Sequence, residues 1–203
     1  MEVFIALIGW LILVYIAGSV PFGLLLARMG RDIDPREYGS RNTGATNVAR
    51  VCGARYGIAT LILDLLKGLV PMLMAAAISS SVLLLSLTGL AALLGHMYSV
   101  FLDRKGGKGV ATTIGIFLAA TPGPLVLSLL LCILLILTVG YVSLGSLVLV
   151  ASLPLFLLVS GNFGFLALSI VVGILVFAKH RDNILRLARG EEKTWKGRTA
   201  QSA

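Results

Sequence analysis

The feature that most constrains this chain is a run of seventy residues, Gly109 to Ala178, without one charged side chain. Basic residues flank the run at both ends, at Lys108 and Lys179. If the flanks lie on the same side of a membrane, the run must cross it an even number of times. Two helices would each be far longer than the roughly twenty residues that a bilayer needs. Glycine and proline clusters at 121–124, 140–145 and 161–164 therefore predict four spans, of which the first is unusually short.

Three further apolar segments precede this run, at Val3 to Ala27, about Gly57 to Ile78, and Val82 to Leu102. With 58% hydrophobic and 13% charged residues, the composition leaves no room for a separate soluble domain. We therefore predict an all-α integral membrane protein, a polytopic helical bundle of about seven transmembrane helices. Residues 1–203 would form a single membrane domain. A proline between glycines, in the stretch Gly18 to Gly23, predicts a kink in the first span.

The basic residues predict the orientation of these spans. Six arginines lie between Arg28 and Arg55, three basic residues between Arg104 and Lys108, and seven between Lys179 and Arg198; Lys67 accounts for the last of the 17. Basic loops favour the cytoplasmic side of a membrane. We therefore expect an N-terminus outside, a cytoplasmic C-terminus, and three cytoplasmic segments: the loops 28–56 and 103–109 and the tail 179–203.

The first cytoplasmic loop contains the stretch Gly39 to Arg50, which is rich in hydrogen-bond donors and has no carboxylate. Glycines allow the backbone to turn its N–H groups towards a ligand, and a guanidinium binds phosphate oxygens in a fixed geometry. The stretch is suited to an anion. An ordinary polar loop whose arginines hold the cytoplasmic side of the membrane remains an equal alternative for this loop alone.

The second loop, Lys105 to Thr113, is a glycine-rich turn that leads directly into a helix. The N–H groups at such a helix start attract an anion, and Lys108 would lie beside it as a point charge. The spacing does not fit the nucleotide-binding P-loop. A flexible basic turn at the membrane face is the alternative.

The third segment, His180 to Glu192, leaves the last span, and its His180 and Asn183 share one helical face. A lone interfacial histidine is usually structural, but this face is expected to point towards the other two loops. Within the second span, Asp64 and Lys67 are also three residues apart, and charges in a span must face protein or water. A structural ion pair is favoured over catalysis there.

Together the three segments resemble the bacterial acyl-phosphate:glycerol-3-phosphate acyltransferase family, often called PlsY. The motif G-S-G-N-x-G-A-T-N-x-x-R of that family is matched at Gly39 to Arg50. Its G-H-x-x-P-x-F and F-K-G-G-K-G-V-A-T motifs are matched from Gly95 to Thr112, and H-R-x-N-I-x-R-L-x-x-G from His180 to Gly190. Three positions depart from the pattern, which usually has glycine, proline and an aromatic residue at Arg41, Ser99 and Arg104 respectively.

The resemblance implies transfer of a fatty acyl group from acyl phosphate to the 1-hydroxyl of glycerol 3-phosphate, in the bacterial cytoplasmic (inner) membrane. The product would be 1-acylglycerol 3-phosphate (lysophosphatidic acid), as the first acylation step of phospholipid synthesis. The implied catalytic residues are Ser40, Arg50, Lys108, His180 and Asn183. The implied substrate-binding residues are Asn42, Gly44, Thr46, Asn47, Lys105, Gly106, Gly107, Gly109 and, more weakly, Ser143.

The mechanism and the alternatives follow from what the chain contains. No His-x-x-x-x-Asp pair is present, so either a phosphate oxygen of the acyl phosphate or His180 would take the hydroxyl proton. We expect no metal and no cofactor, because the carboxylates are scattered and no cluster has the spacing of a metal site. The partners would be the two substrates and the lipid bilayer, and not nucleic acid. A transporter of phosphate or of a small phosphorylated metabolite is the competing function, although the halves of the chain show no inverted repeat.

Overall fold

The structure is a computed structural model that describes residues 1–195, and the elements it forms within these residues are helices joined by loops. The last eight residues of the predicted tail, 196–203, lie outside this range. In chain order, the α-helices are α1 (Glu2–Ser19), α2 (Phe22–Arg31), α3 (Ala45–Cys52), α4 (Ala54–Ile78), α5 (Val82–Met97), α6 (Val110–Ala120), α7 (Pro122–Val139), α8 (Val142–Val159), α9 (Leu166–Lys179) and α10 (Arg181–Ala188). Short 3-10 helices cover Val100–Leu102 and Phe163–Phe165.

Five helical segments within the described range are long and apolar enough to cross a membrane, with α1 and α2 counted together. A sixth is reached if α9 and α10, which are bent by 63° at His180, count as one span. Helix α6 has only 11 residues. Large apolar side chains such as Leu130, Leu137 and Ile174 point outwards, and lipid is the medium that accommodates them. The chain is therefore an all-helical, multi-pass membrane protein.

Each break that the sequence predicted between residues 109 and 178 coincides with a junction between two helices. Helix α6 ends at Ala120 and α7 begins at Pro122, since proline fits the first turn of a helix. Gly140 then ends α7 in a left-handed conformation. The predicted kink in the first span is also present, as the break between α1 and α2 at Val20 and Pro21.

The contacts divide the chain into two compact units, Met1–Ala120 and Thr121–Ala203. In the first unit, α1 packs on α5 and α4 packs on α6. Small residues bring these backbones together: a methyl group added at Gly18 would overlap the carbonyl of Ala92, and one added at Gly68 would overlap that of Thr112. Such close approach is how membrane helices gain packing energy without a hydrophobic driving force.

In the second unit, α7 and α8 form an antiparallel hairpin and α9 packs against α8. Gly145 lies close to the carbonyl of Cys132, so the hairpin is tight near its turn. The end of the described chain returns to this turn, where the N–H of Trp195 donates to the carbonyl of Gly140 at 2.9 Å.

Candidate active site

Asn47 organises the first loop. Its side chain is buried, and its Oδ1 accepts a hydrogen bond from the N–H of Ser40 at 2.7 Å. Its Nδ2 donates to the carbonyls of Pro35 (2.7 Å), Tyr38 (3.1 Å) and Asn42 (2.8 Å). One amide therefore holds four points of the loop backbone. The side chain was predicted to bind substrate, and in the structure it fixes the loop conformation.

Three of the predicted site residues in this loop, Ser40, Thr46 and Arg50, are exposed. Thr46 and Arg50 are four residues apart on α3 and are exposed, while Asn47 and Val48 on the same helix are buried. None of the three exposed side chains has a hydrogen-bond partner within residues 1–195. Two hydroxyls and a guanidinium are groups suited to phosphate oxygens.

Two residues at the start of the stretch Gly39 to Arg50 have left-handed backbones, Gly39 (φ 64°) and Arg41 (φ 53°). An L-residue in this region costs about 1 to 2 kcal/mol. This explains why glycine is usual in the family at the position of Arg41. The loop then turns into α3 at Gly44, whose N–H donates to Asn42 Oδ1 at 2.7 Å.

Asp34 anchors the part of the first loop that precedes the stretch Gly39 to Arg50. It accepts hydrogen bonds from Arg36 and from Arg28, whose Nη2 atoms lie 2.7 and 2.9 Å from Asp34 Oδ2. The side-chain hydrogen bond from Arg36 is the main reason that the pKa of Asp34 lies well below its usual range. Two of the six arginines of this loop are thus held by a carboxylate.

The second loop folds back onto the end of α5. The N–H of Gly106 donates to the carbonyl of Met97 at 3.2 Å, and that of Gly107 to the carbonyl of His96 at 3.1 Å. Both of these N–H groups therefore donate to the protein. The predicted anion-binding N–H groups are those of the first turn of α6, where an α-helix has N–H groups without intrahelical partners.

Glycine is required at the entrance to α6. Gly109 has φ 86°, and a methyl group there would overlap side-chain carbons of Met97 and Leu93. The half-buried Lys108 precedes it, and Lys105 is exposed. Ser99, which occupies the usual proline position, has φ −55°, a value that proline also adopts. Its hydroxyl donates to the carbonyl of Ser19 at 2.6 Å, so this loop is tied to α1.

In the second unit, Glu192 holds the third segment. Its Oε1 accepts from Ser143 Oγ at 2.7 Å and from Asn183 Nδ2 at 2.6 Å, and its Oε2 accepts from Arg186 Nε at 2.6 Å. Burial raises the pKa of Glu192, but these hydrogen bonds lower it by more, so its pKa lies below the usual range. The structure thus brings the predicted residues Ser143 and Asn183 together around a carboxylate.

His180 lies at the bend between α9 and α10 and is buried. Its Nδ1 lies 2.8 Å from the carbonyl of Val176, so Nδ1 must carry a hydrogen and donate it. A neutral imidazole of this tautomer has its lone pair on Nε2.

Sequence reasoning missed Glu192 as a site residue. Two glutamates are adjacent at Glu191 and Glu192, and neither was predicted to be a site residue. Only Glu192 is buried, whereas Glu191 is exposed. The pattern of a short amphipathic tail contains no signal that separates them, because the partner Ser143 lies 49 residues away in the sequence.

Multiple apolar helices joined by donor-rich loops define a class: a polytopic helical membrane protein with loops suited to an anion. Comparison with known proteins identifies the particular family. The family model described as glycerol-3-phosphate acyltransferase matches residues 8–190. The chain is 52% identical, over 195 residues, to the glycerol-3-phosphate acyltransferase of Solidesulfovibrio magneticus, covering 96% of this chain and 98% of that protein. The corresponding protein of Geobacter sulfurreducens is 46% identical over 90% of this chain and 94% of its own length. The chain therefore belongs to the glycerol-3-phosphate acyltransferase family.

Solved structures agree with this assignment. The chain is similar to a crystal structure of PlsY, an integral membrane glycerol 3-phosphate acyltransferase, in its glycerol 3-phosphate form, with a TM-score of 0.88 and 42% identity over 93% of this chain and 95% of that one. The lysophosphatidic acid form matches with a TM-score of 0.85 and 41% identity over the same shares. The resemblance inferred from the three motifs is thus confirmed, and the chain is an acyltransferase.

Proposed function

We propose that this protein transfers a fatty acyl group from acyl phosphate to the 1-hydroxyl of sn-glycerol 3-phosphate, giving 1-acylglycerol 3-phosphate and inorganic phosphate. The observation that carries the proposal is the outward-facing set Ser40, Thr46 and Arg50, held on a loop that Asn47 fixes from within. Related PlsY structures hold glycerol 3-phosphate or lysophosphatidic acid. Both substrates of the proposed reaction carry phosphate, which these donors suit.

The residues of the first loop divide into two roles. Arg50 and Ser40 contact the phosphate of the acyl donor, where charge develops as the phosphate leaves. Thr46 lines the same surface. Asn42, Gly44 and Asn47 support the loop through the hydrogen bonds described above and act on substrate through its conformation.

The second loop binds glycerol 3-phosphate. Lys108 supplies the charge, with Lys105 near it in sequence, and the first turn of α6 supplies N–H groups. Gly106, Gly107 and Gly109 contribute by allowing the loop to pack on α5 without side chains.

Residues of the third segment bind substrate as well. Asn183 and Ser143 are oriented by Glu192. His180 contributes a hydrogen-bonding nitrogen, Nε2. The hydrogen bond from Nδ1 to the carbonyl of Val176 places a ring hydrogen on Nδ1.

In the reaction, the 1-hydroxyl oxygen of glycerol 3-phosphate attacks the carbonyl carbon of the acyl phosphate. A carbon–oxygen ester bond forms, and the bond from the carbonyl carbon to the phosphate oxygen breaks. The hydroxyl proton passes to a phosphate oxygen of the donor, which leaves as inorganic phosphate. Arg50 and Lys108 stabilise the negative charge of the phosphate groups during this step. No protein carboxylate is needed as the base.

The test is a reconstituted assay. Purified protein in lipid nanodiscs, given palmitoyl phosphate and glycerol 3-phosphate, should form lysophosphatidic acid and phosphate in equal amounts. Arg50→Ala is the matched inactive control. Comparable turnover with acyl-CoA or acyl carrier protein, in preparations free of acyl phosphate, would contradict the proposed donor. The transport alternative predicts uptake of labelled glycerol 3-phosphate into liposomes without any acyl donor, and the family membership favours the enzyme.

We also propose seven spans, with α6 as the short one, an N-terminus outside and the active site on the cytoplasmic side of the inner membrane. The distribution of basic residues supports this orientation. In a variant with Cys52 and Cys132 replaced by alanine, a cysteine at Ser80 should react with an impermeant reagent added outside cells, and one at Glu191 should not. The opposite pattern would reverse the topology.

A further inference from the structure

A buried ionic group lies beneath the second loop. Asp64 and Lys67 of α4 form the ion pair that the sequence predicted, with 2.8 Å between Asp64 Oδ1 and Lys67 Nζ. His96 of α5 adds a third member, its Nδ1 at 3.7 Å from the same carboxylate oxygen. All three side chains are less than a tenth exposed. Because burying charges in a span is costly, an ion pair alone does not explain why a second helix contributes an imidazole.

His96 connects this group to the glycine loop. Its carbonyl accepts the N–H of Gly107, and the carbonyl of the next residue, Met97, accepts the N–H of Gly106. A methyl group added at Gly107 would overlap the imidazole Nε2, and one added at Gly106 would overlap the His96 carbonyl. The loop backbone therefore rests directly on the ring and on the last turn of α5.

The same group is anchored to the neighbouring helices. Lys67 Nζ donates to the carbonyl of Val20, at the break between α1 and α2, at 3.0 Å. The hydroxyl of Thr112, in the first turn of α6, donates to the carbonyl of Asp64 at 3.0 Å. The Lys67 side chain thus connects α4 to the break in the first span, and the backbone of Asp64 connects α4 to the start of α6.

The space beside these side chains is small. The cavity beside them has a volume of about 10 Å³, room for roughly one water molecule. Its lining includes both loops, through Thr43, Gly106 and Gly107. The ionic group and the two loops therefore line the same small cavity.

We propose that Asp64, Lys67 and His96 are positioning residues that hold the glycine loop, residues 105–109, in the conformation that binds glycerol 3-phosphate. The inference rests on the proposed function. The ion pair positions the imidazole ring of His96, and this ring packs against the Cα of Gly107. A loop that is ordered before substrate arrives loses less conformational entropy on binding. The three positioning residues therefore raise the affinity for glycerol 3-phosphate.

A double-mutant cycle between Gly107 and His96 tests the contact. Gly107→Ala alone should raise the KM for glycerol 3-phosphate about tenfold or more, with kcat changed by less than about threefold. In a His96→Ala background, where the ring that the methyl overlaps is absent, the same substitution should raise that KM by less than about threefold. If Gly107→Ala raises the KM by the same factor with and without His96, the proposal is overturned. The added methyl group would then act on the ligand and not on His96.

The ion pair is tested by removing both charges together. Asp64→Asn with Lys67→Met should raise the KM for glycerol 3-phosphate about tenfold and leave kcat and the KM for acyl phosphate within about threefold of wild type. The matched control is Thr88→Val, which removes a buried hydrogen bond from Trp10 Nε1 (2.9 Å) about 12 Å along α5 from His96. It should lower the melting temperature without changing either KM.

The outcomes separate cleanly. If the charge-removal variant and Thr88→Val lose the same stability and show the same KM values, the ionic group is merely structural and the proposal fails. If the charge-removal variant does not accumulate, the cycle with His96 decides alone, since it leaves both charges in place. Failure of the wild-type protein to form lysophosphatidic acid would refute the proposed function instead.

Discussion

Glu192→Gln should destabilise this protein, although it replaces only one side-chain oxygen by an NH2 group. The carboxylate of Glu192 accepts three hydrogen bonds, from Ser143, Asn183 and Arg186. Glutamine has nearly the same shape but replaces one oxygen by an NH2 group, which is a donor. Whichever way the amide turns, this donor faces the N–H of Arg186 or the donors of Ser143 and Asn183.

The expected loss in the free energy of unfolding follows from the burial of these groups. Leaving one buried donor without an acceptor costs about 1 to 3 kcal/mol. The bond to Arg186 is discounted because that side chain is about a third exposed and solvent screens it. We expect a net loss of about 2 kcal/mol, which for a chain of this size corresponds to about 4 to 8 °C in melting temperature.

A pH series makes the reasoning more specific. The folded state lowers the pKa of Glu192 below its ordinary value of 4.5. The carboxylate therefore contributes stability that is fully present above about pH 4.5 and is lost as the pH falls through the lower folded pKa. The difference in melting temperature between wild type and Glu192→Gln should be constant near neutral pH and shrink below about pH 4.5.

The measurement is thermal unfolding in detergent at a fixed heating rate, followed with a dye that reacts with the buried thiol of Cys132 in the same unit. Glu191→Gln is the matched control, because it makes the same chemical change at the exposed neighbouring position and should leave the melting temperature unchanged. A Glu192→Gln protein as stable as wild type at pH 7, or a difference that does not shrink in acid, would refute the role assigned to the carboxylate.

Three further predictions concern the site. Ser40→Ala and Arg50→Lys should each lower kcat about a hundredfold, the scale of one lost transition-state donor, in the nanodisc assay; unchanged kcat would remove them from the chemistry. Arg41→Gly should raise the melting temperature by about 3 °C, since it relieves a left-handed backbone worth about 1 kcal/mol, and a decrease would argue that the arginine makes an offsetting contact. His180→Ala should keep measurable activity if the donor phosphate takes the proton, whereas near-total loss, together with loss of a limb near about pH 6.5 in the activity profile, would make the imidazole the base.

Much of the fold was readable from the chain because hydrophobicity and helix breakers act locally. The uncharged run from Gly109 to Ala178 predicted helices, and the proline and glycine positions inside it predicted where they end. The helix boundaries agree with the structure. The short helix α6 was also anticipated, because only about a dozen residues separate its glycine loop from Pro122.

The candidate site was predicted less completely, because residue type does not reveal which way a side chain or an N–H group points. Asn47 and Arg50 belong to one donor-rich stretch, yet one is buried inside the loop and the other is exposed. The glycine-rich sequence of the second loop did not reveal where its own N–H groups point. Those of Gly106 and Gly107 donate to carbonyls of α5, since the loop folds back on the helix before it.

The sequence by itself determined that this chain crosses a membrane several times, that its polar residues fall into three motifs, and that those motifs match one acyltransferase family. Each of these depends on composition or on spacing along the chain. Only the tertiary structure decided that Glu192 pairs with Ser143 and that the Asp64–Lys67 pair meets His96 under the glycine loop. Those contacts join residues 32 to 49 positions apart, and helix packing fixes them because a buried charge is stable only beside a partner of suitable chemistry.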